Sequence, residues 1–183
     1  MYPTADERFT RLYQTHYRAV VAYCARRVNR SDAEDLANEV FVVLWRRLDE
    51  LDGDDPLPWL YRVAWGAVRN RRRSMRRLGA LRMKIGGIAE SSDPVDVVVV
   101  QNESDRQVLE ALARLSASDQ EVLRLSIWEE LSAPQIAVVI GCSASAAGQR
   151  LHRARKRLAR HLSAVHPNAS EPSRPSLEGG GHA

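Results

Sequence analysis

The apolar positions of this chain fall into helical stripes that break at a few well-marked places. From Phe9 to Val28, the residues Phe9, Leu12, Tyr13, Tyr17, Val20, Val21 and Cys24 recur at intervals of three and four, the period of one buried helix face. Asn29-Arg30 interrupts the stripe. Ser31 followed three residues later by Glu34 has the form of a capping box and predicts the start of a second helix. That helix carries Leu36, Val40, Val43, Leu44, Leu48 and Leu51 on one face and ends at the loop signal Asp52-Gly53-Asp54-Asp55-Pro56. A third helix is predicted from about Leu57 to Arg77. Its inward stripe is Leu60, Val63, Ala64 and Ala67, while Arg62, Trp65, Arg69, Arg72, Arg73 and Arg76 fall on the outer face.

Gly79 to Asn102 loses this period. It holds Gly86-Gly87, Ser91-Ser92-Asp93-Pro94 and an isolated run from Val95 to Val100, and it reads as a linker in which the valines form a short docked segment or a helix start. The period returns from Glu103, where Val108, Leu109, Leu112 and Leu115 make one stripe. Ser118 with Glu121 predicts a cap for the next helix, which carries Val122, Leu123, Leu125 and Ile127. Ser132 with Gln135 predicts another, with Pro134 tolerated in the first turn. Gly141 breaks that short helix, and a last one is expected from about Ala144 to Leu162. After Pro167 the chain is rich in Pro, Ser and Gly and is expected to be disordered. The expected fold class is all-α.

Composition agrees. Of 183 residues, 44% are hydrophobic, enough for one ordinary domain or two small ones, and Ala, Leu, Arg and Glu are strong helix formers. The net charge is only +4, but its distribution is uneven. Pro56 to Ala89 contains no acid, while Arg62, Arg69, Arg71, Arg72, Arg73, Arg76, Arg77, Arg82 and Lys84 crowd there. Leu131 to Ser170 is again free of acids, with Arg150, Arg153, Arg155, Lys156, Arg157 and Arg160. Asp32 to Asp55 is acidic instead. Two basic blocks predict two contacts with a polyanion, and the acidic block predicts a different partner. Cys24 and Cys142 lie far apart without metal-ligand spacing, which fits buried thiols in a reducing compartment. The polar N-terminus shows no signal peptide and no apolar run approaches a membrane span, so a cytoplasmic location is expected.

Ile136 to Leu158 has the pattern of a helix-turn-helix: a short helix, a Gly turn, then a longer helix that starts with small residues and becomes basic. The second helix of such a motif enters the major groove. Here Leu151, Ala154 and Leu158 share the inward face, and Gln149, His152, Arg153 and Lys156 lie on others. Gln can bond adenine and Arg guanine on their major-groove edges. Arg150, Arg155 and Arg157 read as phosphate contacts or solvated charges.

At these residues a family resemblance becomes specific. Leu131-Ser132-(x)2-Gln135-Ile136-Ala137-(x)3-Gly141-Cys142-Ser143, followed by Arg150-Leu151-His152-Arg153-Ala154-Arg155, resembles the −35-reading segment (region 4.2) of ECF (extracytoplasmic-function) sigma factors, and Leu115 to Leu123 resembles region 4.1. Asp32 to Phe41, through Trp45 and Arg46, resembles region 2.2, and Trp59 to Ala64 with Arg69 to Arg73 resembles regions 2.3 and 2.4. The resemblance implies a sigma region 2 bundle at 5–77, a flexible linker at 78–104, a sigma region 4 helix-turn-helix at 105–165 and a disordered tail at 166–183. It further implies core RNA polymerase and promoter DNA as partners, with an anti-sigma factor as regulator. Polymerase would meet Asp35, Asn38, Glu39, Val42, Trp45 and Arg46. The −10 element would meet Arg62, Trp65, Arg69, Arg72 and Arg73, with the loop Asp52 to Pro58 cradling an unpaired base. The −35 element would meet Gln149, Arg150, His152, Arg153 and Lys156. Trp59, at a helix start, reads as core, which leaves Trp65 as the surface aromatic.

A linker of about 27 residues reaches roughly 90 Å when extended and averages roughly 30 Å when flexible, enough to serve two separated DNA elements. Two departures bear on which promoter is read: Ala147-Gly148 stands where members often carry Lys or Arg, and Trp65-Gly66 where many carry Arg-Asn. Two other readings compete. An ordinary helix-turn-helix repressor explains the second half but leaves the first without a role. A nuclease or recombinase needs clustered carboxylates or a nucleophile among basic groups, and the basic segments contain no acids. No catalytic residue, metal site, cofactor, membrane insertion or small-molecule substrate is expected.

Overall fold

Thr4 sets the first helix a full turn ahead of the apolar stripe. Its hydroxyl accepts from the Glu7 N–H and the Glu7 carboxylate accepts from the Thr4 N–H, a reciprocal box that starts α1 at Ala5–Ala25. The computed structural model describes residues 4–51, 55–84 and 103–165. After α1 come α2 (Arg30–Arg46), a 3-10 turn (Leu48–Glu50), α3 (Leu57–Lys84), α4 (Glu103–Ala113), α5 (Ala117–Ile127), α6 (Ala133–Ile140) and α7 (Ala144–Val165), with no strand among the described residues. The all-α expectation holds.

Two of the predicted caps are corrected. Asn29, not the Ser31–Glu34 pair, starts α2: its side chain accepts from the Asp32 N–H at 2.9 Å. Ser116, not the Ser118–Glu121 pair, starts α5 by accepting from the Asp119 N–H at 3.2 Å. Each true cap lies two residues before the predicted one. In both helices the third residue after the cap is an aspartate that is also paired. Asp32 accepts from Arg71 of α3, with Nε at 3.1 Å, and Asp119 accepts from Arg157 of α7. Each carboxylate so ties a helix start to a later helix while its charge offsets the N-terminal dipole. The Ser132–Gln135 box is as predicted, with the Ser132 N–H donating to Gln135 Oε1 at 2.9 Å. Gly141 closes α6 at φ 70, a left-handed position that suits glycine.

The helix lengths differ from the sequence reading at one point above all. α3 continues to Lys84, past Arg77, because Arg, Met, Leu and Ala keep favouring helix and one Gly79 costs only about 1 kcal/mol. The valine run, most of the expected linker (85–102) and the expected tail (166–183) lie outside the described residues, as do 52–54 of the acidic loop.

α1 and α2 pack side by side with α3 across them. Val20, Tyr23, Cys24, Leu36, Val40, Phe41, Leu44, Leu60, Ala64 and Val68 are buried there. Tyr61 and Val68, outside the predicted stripe of α3, are buried, while Val63 and Ala67 are half-buried. In the second half α5 and α6 pack on α7, burying Val122, Leu123, Leu125, Ile136, Val139, Ala147, Leu151 and Ala154. Ile127, predicted inward, is 58% exposed because it ends α5 beyond the reach of α7, and in α4 Ala111 is buried while Val108 is exposed. The two halves do not stand apart. α3 packs on α6, and the buried residues of both halves belong to one continuous apolar cluster.

The cap correction is testable by substitution. Asn29→Ala should lower the stability of the intact chain by about 1 kcal/mol in urea unfolding. Ser31→Ala, which removes only a hydroxyl that donates to Asn29 Oδ1, should cost clearly less.

Candidate nucleic-acid interface

α7 is built as a recognition helix would be. Ser143 caps it, its hydroxyl accepting from the Ala146 N–H at 3.2 Å. Ala147, Leu151 and Ala154 are buried and Leu158 is half-buried, which fixes the inward face. At 3.6 residues per turn, Gln149, Arg153 and Lys156 lie within about 60° of one another and about 180° from that stripe, with His152 beside them. All four are exposed. Arg150 sits on the flank and is half-buried. The face therefore offers amide, imidazole, guanidinium and ammonium groups, the donors that base edges and phosphates accept from.

Two other arginines of α7 have partners within the chain. Arg157 pairs with Asp119, and Arg155 Nη2 donates to Ser126 Oγ at 3.0 Å. They anchor α7 to α5. The small residues at the start of α7 are also structural. Ala147 is fully buried, and a Cβ added at Gly148 would meet Ala133 Cβ at 3.9 Å, so α6 and α7 cross closely there. A Lys or Arg at 147 would have no room inward. Gly66 has nothing within 4 Å of an added Cβ, so packing does not demand a glycine there.

On α3, Arg62, Arg69 and Arg73 are exposed along the face away from Leu60, Ala64 and Val68. The Arg69 guanidinium lies 5.7 Å from the Trp65 ring centroid, a cation–π spacing. Trp65 and Trp59 are each half-buried against the core. Arg72 differs from its neighbours: it is half-buried, and its Nη2 donates to the Arg27 carbonyl at 2.9 Å. Arg62 lies beside the turn of the helix-turn-helix. It shares a shallow pocket with Pro134, Ala137, Val138, Gly141 and Cys142, and a Cβ at Gly141 would sit 3.9 Å from its Nη2.

The acidic helix α2 presents a different surface. Asp35, Asn38, Glu39 and Arg46 are exposed, and between them Val42 and Trp45 stand 49% and 47% exposed. The Trp45 ring is held edge-on to Phe9 of α1, with centroids 5.2 Å apart. Asp6, Phe9, Tyr13 and Phe41 join Asn38, Val42 and Trp45 around an apolar groove between α1 and α2. All six predicted partner residues share this side. No cluster of His, Cys, Asp or Glu able to hold a metal occurs among the described residues, and no described helix is long and apolar enough to cross a membrane.

Sequence reasoning missed one cluster. Arg27 is fully buried and meets Glu121 and Glu129 from the second half of the chain. Arg27 falls three and four residues after Cys24 and Tyr23 on the inward stripe of α1, a position where a cation signals a buried partner.

Comparison with known proteins matches both halves. The family model of sigma-70 region 2 matches residues 12–78, and that of sigma-70 region 4 matches 105–158. The chain is 31% identical over 161 residues to RNA polymerase sigma factor NccH of Alcaligenes xylosoxydans xylosoxydans, covering 82% of this chain and 84% of the relative. It is 31% identical over 150 residues to ECF RNA polymerase sigma factor SigL of Mycobacterium tuberculosis, covering 78% and 82%. It also resembles the structure of CnrH in complex with the cytosolic domain of CnrY, at 27% identity and TM-score 0.56 over 85% of this chain and 88% of that one.

Arg157→Ala should lower the unfolding free energy by about 1 kcal/mol, since it strands the buried Asp119 carboxylate while its own side chain is half-exposed. Gln149→Ala, on the outward face, should leave the urea midpoint unchanged within about 0.5 kcal/mol.

Proposed function

Because the chain belongs to the sigma-70 family of RNA polymerase sigma factors, in its ECF branch, we propose that it is an alternative sigma factor that binds core RNA polymerase and brings it to promoters read at −35 and −10. The observation that carries this reading is the sorting of surfaces within one chain. One helix offers an acidic and aromatic face, and two others offer basic faces. Asp and Glu repel phosphate, so the α2 face suits a protein, while α3 and α7 suit nucleic acid.

The assignments follow from that sorting. Asp35, Asn38, Glu39, Val42, Trp45 and Arg46 form the polymerase contact, with Trp45 as the apolar anchor. Arg62, Arg69 and Arg73, with Trp65, contact the −10 element: phosphates pair with the guanidinium groups and an opened base stacks on the indole. Arg72, tied to the Arg27 carbonyl, positions this helix while presenting its charge to the same DNA. Gln149, His152, Arg153 and Lys156 read the −35 element, with Arg150 on the flanking phosphates. Residues 5–77 act as the polymerase and −10 domain and 105–165 as the −35 domain, with 78–104 as their linker and 166–183 outside both. The chain acts by binding and not as an enzyme, and it works where polymerase works, in the cytoplasm. Control by an anti-sigma factor belongs to the same reading, supported by the likeness to CnrH, seen complexed with CnrY.

The test is co-elution of the purified chain with core RNA polymerase, with the housekeeping sigma factor as competitor. Stoichiometric, competitive binding is expected, and no binding by a folded, inhibitor-free chain would overturn the proposal. Trp45→Ala should weaken that binding by about 2 kcal/mol, roughly thirtyfold in Kd. Arg153→Ala should leave core binding intact and cost about 1–3 kcal/mol on the preferred −35 sequence. An equal loss on all sequences would make Arg153 a phosphate contact.

A further inference from the structure

The two halves that must read separate DNA elements are held together by a buried charge cluster. Arg27, just past the C-cap of α1, donates from Nε to both Glu121 oxygens at 3.1 Å, from Nη2 to Glu121 Oε1 at 3.0 Å and from Nη1 to Glu129 Oε1 at 3.1 Å. Its guanidinium stacks 3.5 Å above the Tyr23 ring, and the Tyr23 hydroxyl donates to Glu121 at 3.0 Å. Arg26 completes the set on Glu129. Two cations of the first half thus face two anions of the second, all but Arg26 fully out of solvent. A peripheral bond joins the same halves where Gln135 Nε2 donates to Asp55 Oδ2 at 2.7 Å.

This closed packing conflicts with promoter reading. The −35 and −10 elements are separate sites that lie several tens of ångströms apart along a duplex. Packed helices lie only about 8–10 Å apart, and α3 is packed on α6 with Arg62 against the turn that leads into α7. Part of the −10 surface therefore faces the −35 motif instead of DNA.

We infer that this packing is a self-restraining state of the chain, in which the Arg26–Arg27 and Glu121–Glu129 cluster latches the −35 unit over the −10 helix until both units separate. The inference rests on the sigma-factor reading above. The cluster is suited to reversible use. Opening returns all four charges to water together, so no charge is left buried and alone, and a buried ion pair gains little over its solvated parts. Polymerase and DNA, which bind the open form, then shift the population toward it.

The test locks the latch. In an Arg26→Cys, Glu129→Cys, Cys142→Ser chain, a short bismaleimide joins the two new thiols. Cys24 stays out of the reaction, since burial pushes its thiol up to about 12. The same variant capped with N-ethylmaleimide is the control. Each is loaded on core polymerase and assayed for chain-dependent transcripts from fragmented genomic DNA. The capped chain is expected to transcribe at least as well as wild type and the cross-linked chain about tenfold less or lower, since its competent fraction vanishes. Equal transcription by cross-linked and capped chains would overturn the latch. If wild type itself gives no transcripts, the sigma-factor reading is what fails. Independently of transcription, Glu121→Gln with Glu129→Gln should raise the radius of gyration in small-angle scattering, and an unchanged radius would overturn the latch as well.

Discussion

A guanidinium that is buried must be answered, and Arg27 is buried without remainder. It keeps its proton at any pH a protein meets, so it cannot escape by neutralising as a lysine or histidine can. Its donors are met by Glu121, Glu129 and the Tyr23 carbonyl. Burial first, and then the Glu121 charge, hold the Tyr23 phenol well above its ordinary range, so that hydroxyl stays a donor to the carboxylate. The carboxylates come from about a hundred residues away along the chain. The relative placement of the two halves hence follows from electrostatic satisfaction at one side chain, with apolar burial filling the space around it.

Much of this was legible in the sequence. The three- and four-residue stripes located every helix, the Gly141 break and the Ser132–Gln135 box fixed the helix-turn-helix, and the outward face of α7 followed from its inward stripe. The two misplaced caps share a cause. Ser-x-x-Glu pairs read as capping boxes at 31–34 and 118–121 because local pattern cannot tell which of several polar residues near a helix start is the cap. Glu121 is the sharpest case: three residues after a serine it looks like a capping acid, but it is 2% exposed and answers Arg27. A contact between residues so distant in sequence leaves no periodic trace in either segment. The end of α3 was misplaced for a different reason. The segment from Gly79 onward was read as a linker because the apolar period is lost there, although the helix formers around that glycine outweigh its cost.

The charge blocks also divide more finely than sequence alone allows. Within the basic segment of α3, Arg71 pairs with Asp32, Arg72 reaches the Arg27 carbonyl and Arg62 lies beside the turn after α6, while Arg69, Arg73 and Arg76 face outward. Within α7, Arg155 and Arg157 turn to Ser126 and Asp119, while Arg153 and Lys156 face outward. Each helix thus spends some of its cations on anchoring itself and presents the rest on one side. The anchoring arginines preorganise the presenting ones, because a helix that cannot rotate against its neighbours holds its outer side chains in fixed register.

The same division bears on how the molecule answers a mutation at the latch. Removing one partner of a buried ion pair ordinarily costs about 3–5 kcal/mol, because the other charge is stranded. Here the stranded charge has an exit: the halves can part and solvate it. The measured loss of global stability is consequently bounded by the free energy of opening, however unfavourable the closed variant becomes. A large penalty in the closed form and a small one in unfolding together identify an interface that opens, whereas two equal penalties identify one that is permanent. Arg71–Asp32 and Arg157–Asp119 sit within single halves and have no such exit, so their losses appear in full at unfolding.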